Sequence, residues 1–159
     1  MVQGSEKQGG RRLTQRNADS HRLDRRQPAK SYCDFKHTDL TDRIIKAAYN
    51  VYNDLGFGFA EKVYENAMAI EMKALCLDAK QQAPIQVRYQ GHLVGDYVAD
   101  FVIEDKVIVE LKAVEDLDKA HQVQLVNYLK ATGIEIGLLI NFGRRMSLKR
   151  KVFTQARSA

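Results

Sequence analysis

Cysteine is scarce. The chain has 159 residues, and only Cys33 and Cys76 are cysteines. Neither stands in a CxxC or Cys/His spacing, which argues against a zinc site and against a disulfide framework. Long apolar runs are missing as well, and none approaches the ~18 residues that a membrane span needs. The start of the chain has no apolar h-region of the kind a secretory signal carries, and its acidic residues do not fit a transit peptide. No internal repeat is visible. These absences lead us to expect a protein of the cytoplasm with no membrane partner.

Apolar residues make up 45% of the chain and charged residues 28%, a globular balance, and the length suits one domain with room for a sizeable core. The net charge of +5 is unevenly placed. Residues 1–37 hold nine Lys/Arg against four Asp/Glu, whereas residues 38–159 hold sixteen of each. The first segment has few apolar residues and no periodicity, so it cannot bury enough surface to offset its ordering entropy. It reads as a disordered basic tail (1–37) ahead of a single domain (38–159). The sharper alternative is a basic arm lying on nucleic acid.

Within the domain, "TDLTDRIIKAAYNVYNDLGFG" sets Leu40, Ile44, Ala48, Val51 and Leu55 on one helical stripe, with Thr38 or Asp39 as N-cap. A second helix follows in "FAEKVYENAMAIEMKALCL", whose Val63, Ala67, Ile70 and Ala74 share a face. Three strands come next, "APIQVRYQ", "LVGDYVADFVIE" and "KVIVELKAV". "LDKAHQVQLVNYLKAT" returns to helical spacing and Gly133 stops it, and "EIGLLINF" fits a strand buried on both faces. The order is α-α-β-β-β-α-β, with a basic C-terminal edge strand as an option in "RRMSLKRKVF". The fold class expected is therefore α/β in the α+β sense, a mixed sheet flanked by helices.

The second and third strands carry charges where burial is expected, at Asp100, Glu110 and Lys112. Alternation places Glu110 and Lys112 on one face and Leu111 on the other. The position of Asp100 depends on the turn. A three-residue loop, Glu104-Asp105-Lys106, sets Asp100 directly opposite Glu110, while a two-residue turn puts the carboxylates on opposite faces. The longer loop also pairs Ala99, Phe101 and Ile103 with Leu111, Val109 and Val107, an all-apolar face, and we adopt it. Opposed carboxylates destabilise a sheet unless something offsets them. A hard divalent cation would do so. From the hairpin alone, a solvated face with incidental charges reads as well. The neighbours add weight: Glu61 and Tyr64 lie side by side on the second helix, with Glu65 one turn beyond, and His121, Gln124 and Tyr128 share a face of the later helix.

"GFAEKVY" fits the pattern G-x-x-E-x-x-Y at Gly58, Glu61 and Tyr64. With "VIVELKAV", "HQVQL", "YLKATG" and "GLLINFG" in order, the chain resembles the GxxExxY protein family, a branch of the PD-(D/E)XK nuclease superfamily, from about Leu40 to Phe153. Phe57 stands where that family often has Pro between its two glycines. The resemblance implies a restriction-endonuclease-like core and phosphodiester hydrolysis of nucleic acid, DNA in the first place, with Mg²⁺ or Mn²⁺ as cofactor. It implies Asp100, Glu110, the Leu111 backbone carbonyl and Glu61 as metal ligands, with Lys112 completing the catalytic set of Asp100, Glu110 and Glu61. Gln124 and Tyr128 fit a Q-x-x-x-Y signature for substrate binding, with His121 and Tyr64 beside them. The alternative is a nuclease fold that binds nucleic acid or regulates without catalysis. Oligomeric state stays open.

Overall fold

The computed structural model describes residues 37–155. The expected basic tail, apart from His37, lies outside the described residues. Eight elements follow in order: α1 (Thr38–Leu55), α2 (Glu61–Ala74), β1 (Ala79–Tyr89), β2 (His92–Ile103), β3 (Val107–Lys112), α3 (Lys119–Thr132), β4 (Ile136–Asn141) and β5 (Ser147–Val152). The basic segment near the C-terminus thus does form a strand. Among the described residues no helix is long and apolar enough to cross a membrane.

The five strands lie in one sheet in the order β1-β2-β3-β4-β5. β3 and β4 are parallel, with α3 as their crossover, and the other neighbours are antiparallel. This is a mixed sheet with helices on both faces. On one face, α1 and α2 cover Phe101, Ile103, Val107, Val109 and Leu111. On the other, Leu125, Tyr128 and Leu129 of α3 pack on Val102, Ile108 and Leu139. Every residue of β4 is buried, as expected of a strand with a helix layer on each side.

The hairpin between β2 and β3 takes the three-residue loop. Ile103 lies opposite Val107, Val102 opposite Ile108, and Phe101 opposite Val109. Glu104 and Asp105 turn the chain with φ of 51° and 53°, and the Lys106 N–H closes the loop on the Ile103 carbonyl at 3.0 Å.

Three local expectations need correction. Ala99 does not join the face of Phe101 and Ile103; it packs with Ala83 and Ile85 in the α3-side cluster. The β1–β2 ladder runs from the pair Gln81 and Phe101 to the pair Ala83 and Ala99, and Gln82 between them has φ of 52°. That left-handed residue breaks the simple alternation along the arm. On α2 the core side is Tyr64, Met68 and Met72, while Ile70 is 70% exposed and Val63 is also exposed. The larger side chains take the core and leave the β-branched ones in solvent. The N-cap of α1 is His37 rather than Thr38 or Asp39, with no side-chain capping bond.

Candidate active site

The ladder between β2 and β3 changes character where the charges begin. The paired ladder ends at Phe101–Val109, and beyond it the side chains of Asp100 and Glu110 take over from backbone partners. The Leu111 N–H donates to Asp100 Oδ2 at 2.7 Å, and the Asp100 N–H donates to Glu110 Oε1 at 3.3 Å. Each carboxylate is therefore tethered through one oxygen and keeps its other oxygen for another partner. A strand residue directs its N–H and C=O to the same neighbour. Because the Leu111 N–H meets the Asp100 side chain, its carbonyl is also directed to the side where the ladder has stopped.

Two carboxylates held this way disfavour each other's charge. Glu110 is pushed up to about 8, first by burial and then by the charge of Asp100, while Lys112 pulls the other way. Asp100 is raised too, first by burial, against the lowering effect of the Leu111 N–H and Lys112; Glu61 and Glu65 repel it. Lys112 Nζ sits 3.5 Å from Glu61 Oε1 and 4.0 Å from Glu110 Oε2, largely shielded from solvent. A single ammonium does not neutralise this group.

The site residues suit a hard dication. The free donors are all oxygens, and a doubly charged ion would relieve the repulsion that raises Asp100 and Glu110. Among the described residues no three His, Cys, Asp or Glu side chains close into a preformed cage. Mg²⁺ is commonly bound through one or two carboxylates and keeps several waters, so an open pair of this kind suits it.

Glu61 is placed by the loop before α2. It is the first residue of that helix, and one turn later Tyr64 is fully buried, stacked on Phe142 with ring centroids 4.4 Å apart and 5° between planes. The Tyr64 hydroxyl donates to the Gly56 carbonyl at 2.8 Å and accepts from the Phe59 N–H at 3.3 Å. Gly58 between them has φ of 107°, open to glycine and strained for other residues. The G-x-x-E-x-x-Y spacing thus fixes the loop and directs Glu61 at Lys112. This corrects the expectation for Tyr64: at 0% exposure, with its hydroxyl occupied by backbone, it has no surface to offer a substrate.

From α3, Gln124 Nε2 donates to the Tyr128 hydroxyl at 2.7 Å. Burial raises the Tyr128 phenol, the Gln124 bond opposes this, and the charges of Glu110 and Asp100 raise it further, so the phenol lies within their field. Glu61 and the Gln124–Tyr128 pair therefore approach the carboxylates from different helices. His121 sits at the start of α3. Its Nδ1 accepts the Asp118 N–H at 3.2 Å in a capping box. That nitrogen serves the helix cap.

A family model of the PD-(D/E)XK nuclease superfamily matches residues 38–153. The chain belongs to that superfamily. The mixed sheet with its parallel β3–β4 crossover is the restriction-endonuclease-like core expected of a PD-(D/E)XK protein. Among solved structures, the crystal structure of SSO0001 aligns with a TM-score of 0.48 at 17% identity. The alignment covers 76% of this chain, which spans 61% of the length of that one. No curated protein matches the chain.

Three side chains framing this site were not among the candidate site residues read from the sequence. Glu65 is buried and accepts from Lys62 at 2.8 Å, Gln81 at 2.6 Å and Gln82 at 2.9 Å. Burial pushes its carboxyl up, but these donors outweigh that and hold it below the usual range. Asn141 clasps the segment after β3 through both Val114 backbone groups, at 3.0 and 2.8 Å. Tyr97 of β2 lies with its ring 5.9 Å from that of Tyr128. Only Glu65 stood in a visible pattern, one turn after Glu61.

Proposed function

We propose that this domain is a metal-dependent nuclease that hydrolyses phosphodiester bonds of nucleic acid, DNA in the first place, in the cytoplasm. The observation that carries the proposal is the tethered Asp100–Glu110 pair with Lys112 within 4.0 Å of Glu110 and 3.5 Å of Glu61. Asp100, Glu110 and the Leu111 carbonyl would hold Mg²⁺ or Mn²⁺, with Glu61 adjacent. When bound, such a cation supplies Lewis-acid charge to a phosphate oxygen and acidifies water.

The protein groups divide the remaining work. The Lys112 ammonium, held between Glu61 and Glu110, donates hydrogen bonds to the attacking water and offsets negative charge gathering on the phosphorus oxygens. Glu61 positions Lys112 and adds a third carboxylate to the pocket. Gln124 and Tyr128 offer an amide and a hydroxyl to the sugar–phosphate backbone, aligning the scissile bond beside Lys112. Tyr64 holds the Glu61 loop in shape.

The second reading is a module that binds nucleic acid or regulates without catalysis; the balance of sixteen cations and sixteen anions in residues 38–159 leaves little general attraction for phosphate and favours its regulatory form. Against it stands a complete Asp100, Glu110 and Lys112 set, costly to keep unless it is used. The deciding experiment is cleavage of single- and double-stranded DNA and RNA with Mg²⁺, Mn²⁺ or EDTA. Metal-dependent products that vanish in Lys112→Ala support the nuclease; a folded protein with no cleavage under any condition supports the module.

A further inference from the structure

A groove of about 1200 Å³ runs between α3 and the β1–β2 arm, and its lining includes Gln124 and Tyr128 of the candidate active site. Its lining combines three kinds of group. Arg88 from the arm and Lys130 from α3 supply positive charge, and none of the lining residues is acidic. Arg88 donates to the Gly91 carbonyl and to Gln86, so its charge is not cancelled by a carboxylate among the described residues. Exposed apolar surface comes from Val94, Val123 and the ring of Tyr97, which is 51% exposed. Gly95 makes room for that ring: a Cβ there would lie 2.9 Å from Tyr97 Cε2.

We infer that this groove binds a single strand of nucleic acid, with an unpaired base stacked on Tyr97 and phosphates held by Arg88 and Lys130. The inference rests on the nuclease reading of the adjoining site and deepens it by naming the substrate class. A duplex presents phosphates at its surface and hides the faces of its bases, so it would leave the apolar floor uncovered. A single strand presents both, and a cationic track with an aromatic platform is how proteins hold one without regard to sequence. The neutral charge balance of residues 38–159 points the same way, because duplex binding depends on many phosphate contacts at once. The Tyr97 ring, 5.9 Å from Tyr128, then marks the last base before the backbone reaches the carboxylate pair.

The test is fluorescence anisotropy of the full chain in EDTA, so that binding is read apart from cleavage. The probes are a labelled oligothymidylate of about 20 nucleotides, its duplex with oligoadenylate, and the matching oligouridylate. The single strands should bind at least about tenfold tighter than the duplex. Tyr97→Ala should weaken them about tenfold, Tyr97→Phe should hold, and Arg88→Ala and Lys130→Ala should each lower the salt slope by about 0.7. Because Tyr97→Ala also loosens the contact with Tyr128, Val123→Glu serves as a second variant. Val123 is 58% exposed on α3, so the change puts a negative charge in the groove without touching the core. Equal affinity for duplex and single strand, or wild-type affinity in both Tyr97→Ala and Val123→Glu, overturns the inference. Cleavage of the same strands in Mg²⁺ is scored separately. Binding that depends on Tyr97 and Val123, with no metal-dependent cutting, leaves the groove standing and removes the nuclease reading. Cutting that ignores both residues does the reverse.

Discussion

Replacing Glu110 with Gln should stabilise the metal-free protein, and by more the higher the pH. The folded carboxyl is pushed up to about 8 from an ordinary value of 4.5. Between those values the native state keeps a proton that the unfolded chain has released. Stability is therefore complete below about 4.5 and is lost as the pH rises through about 8. At pH 7 the loss spans roughly 2.5 pH units, and at ~1.4 kcal/mol per unit it amounts to roughly 3–4 kcal/mol. Gln has no proton to lose and keeps an oxygen for the Asp100 N–H, so the variant escapes this slope. For a domain of this size the difference corresponds to roughly 10 °C in Tm at neutral pH, shrinking toward zero near pH 4.5. Thermal melts followed by circular dichroism from pH 4.5 to 7.5 in EDTA would measure it. Mg²⁺ should raise the wild-type Tm at pH 7 and leave Glu110→Gln almost unchanged. If wild type and variant traced parallel Tm curves across this range, the buried-pair reasoning would be refuted.

Asp100→Asn should abolish cleavage, because a neutral amide is a poor ligand for Mg²⁺, yet leave the metal-free protein as stable as wild type or more so, since an amide oxygen still accepts from Leu111. Its melting temperature should lose most of the Mg²⁺ response, which for wild type is worth about 2.7 kcal/mol at a hundredfold excess over Kd; equal responses in the two proteins would count against the metal site. Tyr64→Phe keeps the stack on Phe142 but removes the hydroxyl that holds Gly56 and Phe59, costing about 1–2 kcal/mol in denaturant melts. The same change should lower kcat more than substrate affinity, and unaltered kcat would detach the loop from Glu61. Deleting residues 1–36 should leave Tm unchanged while weakening nucleic-acid binding most at low salt, as filter binding across a salt series would show; a large drop in Tm would make that segment structural.

The hairpin register could be read from the chain because a period of two admits few solutions. Only a three-residue loop sets Phe101 and Ile103 against Val109 and Val107, and Asp100 and Glu110 then meet of necessity. The same logic failed one residue further, at Ala99, because alternation assumes extended backbone throughout and Gln82 departs from it. The α2 face was misjudged for a related reason. Val63, Ala67, Ile70 and Ala74 make one plausible stripe and Tyr64, Met68 and Met72 another, and only packing against the sheet chooses between them. Tyr64 was legible as part of a motif but not as a buried stack, since Phe142 lies far away in sequence. Tyr97 was least accessible of all: it is one alternate position on a long strand, and its neighbours across the groove come from α3.

Each end of the sheet is a row of backbone donors and acceptors that another chain could extend. β5 meets this hazard with Lys149, Arg150 and Lys151 in succession, so a second copy approaching there would set like charges side by side. β1 carries Pro84, which has no N–H to offer an added strand, and the cations Lys80 and Arg88. The five-stranded sheet is thereby self-terminating. An engineer who neutralised the β5 lysines to simplify the surface would gain little in fold stability and would open a route to strand-by-strand aggregation.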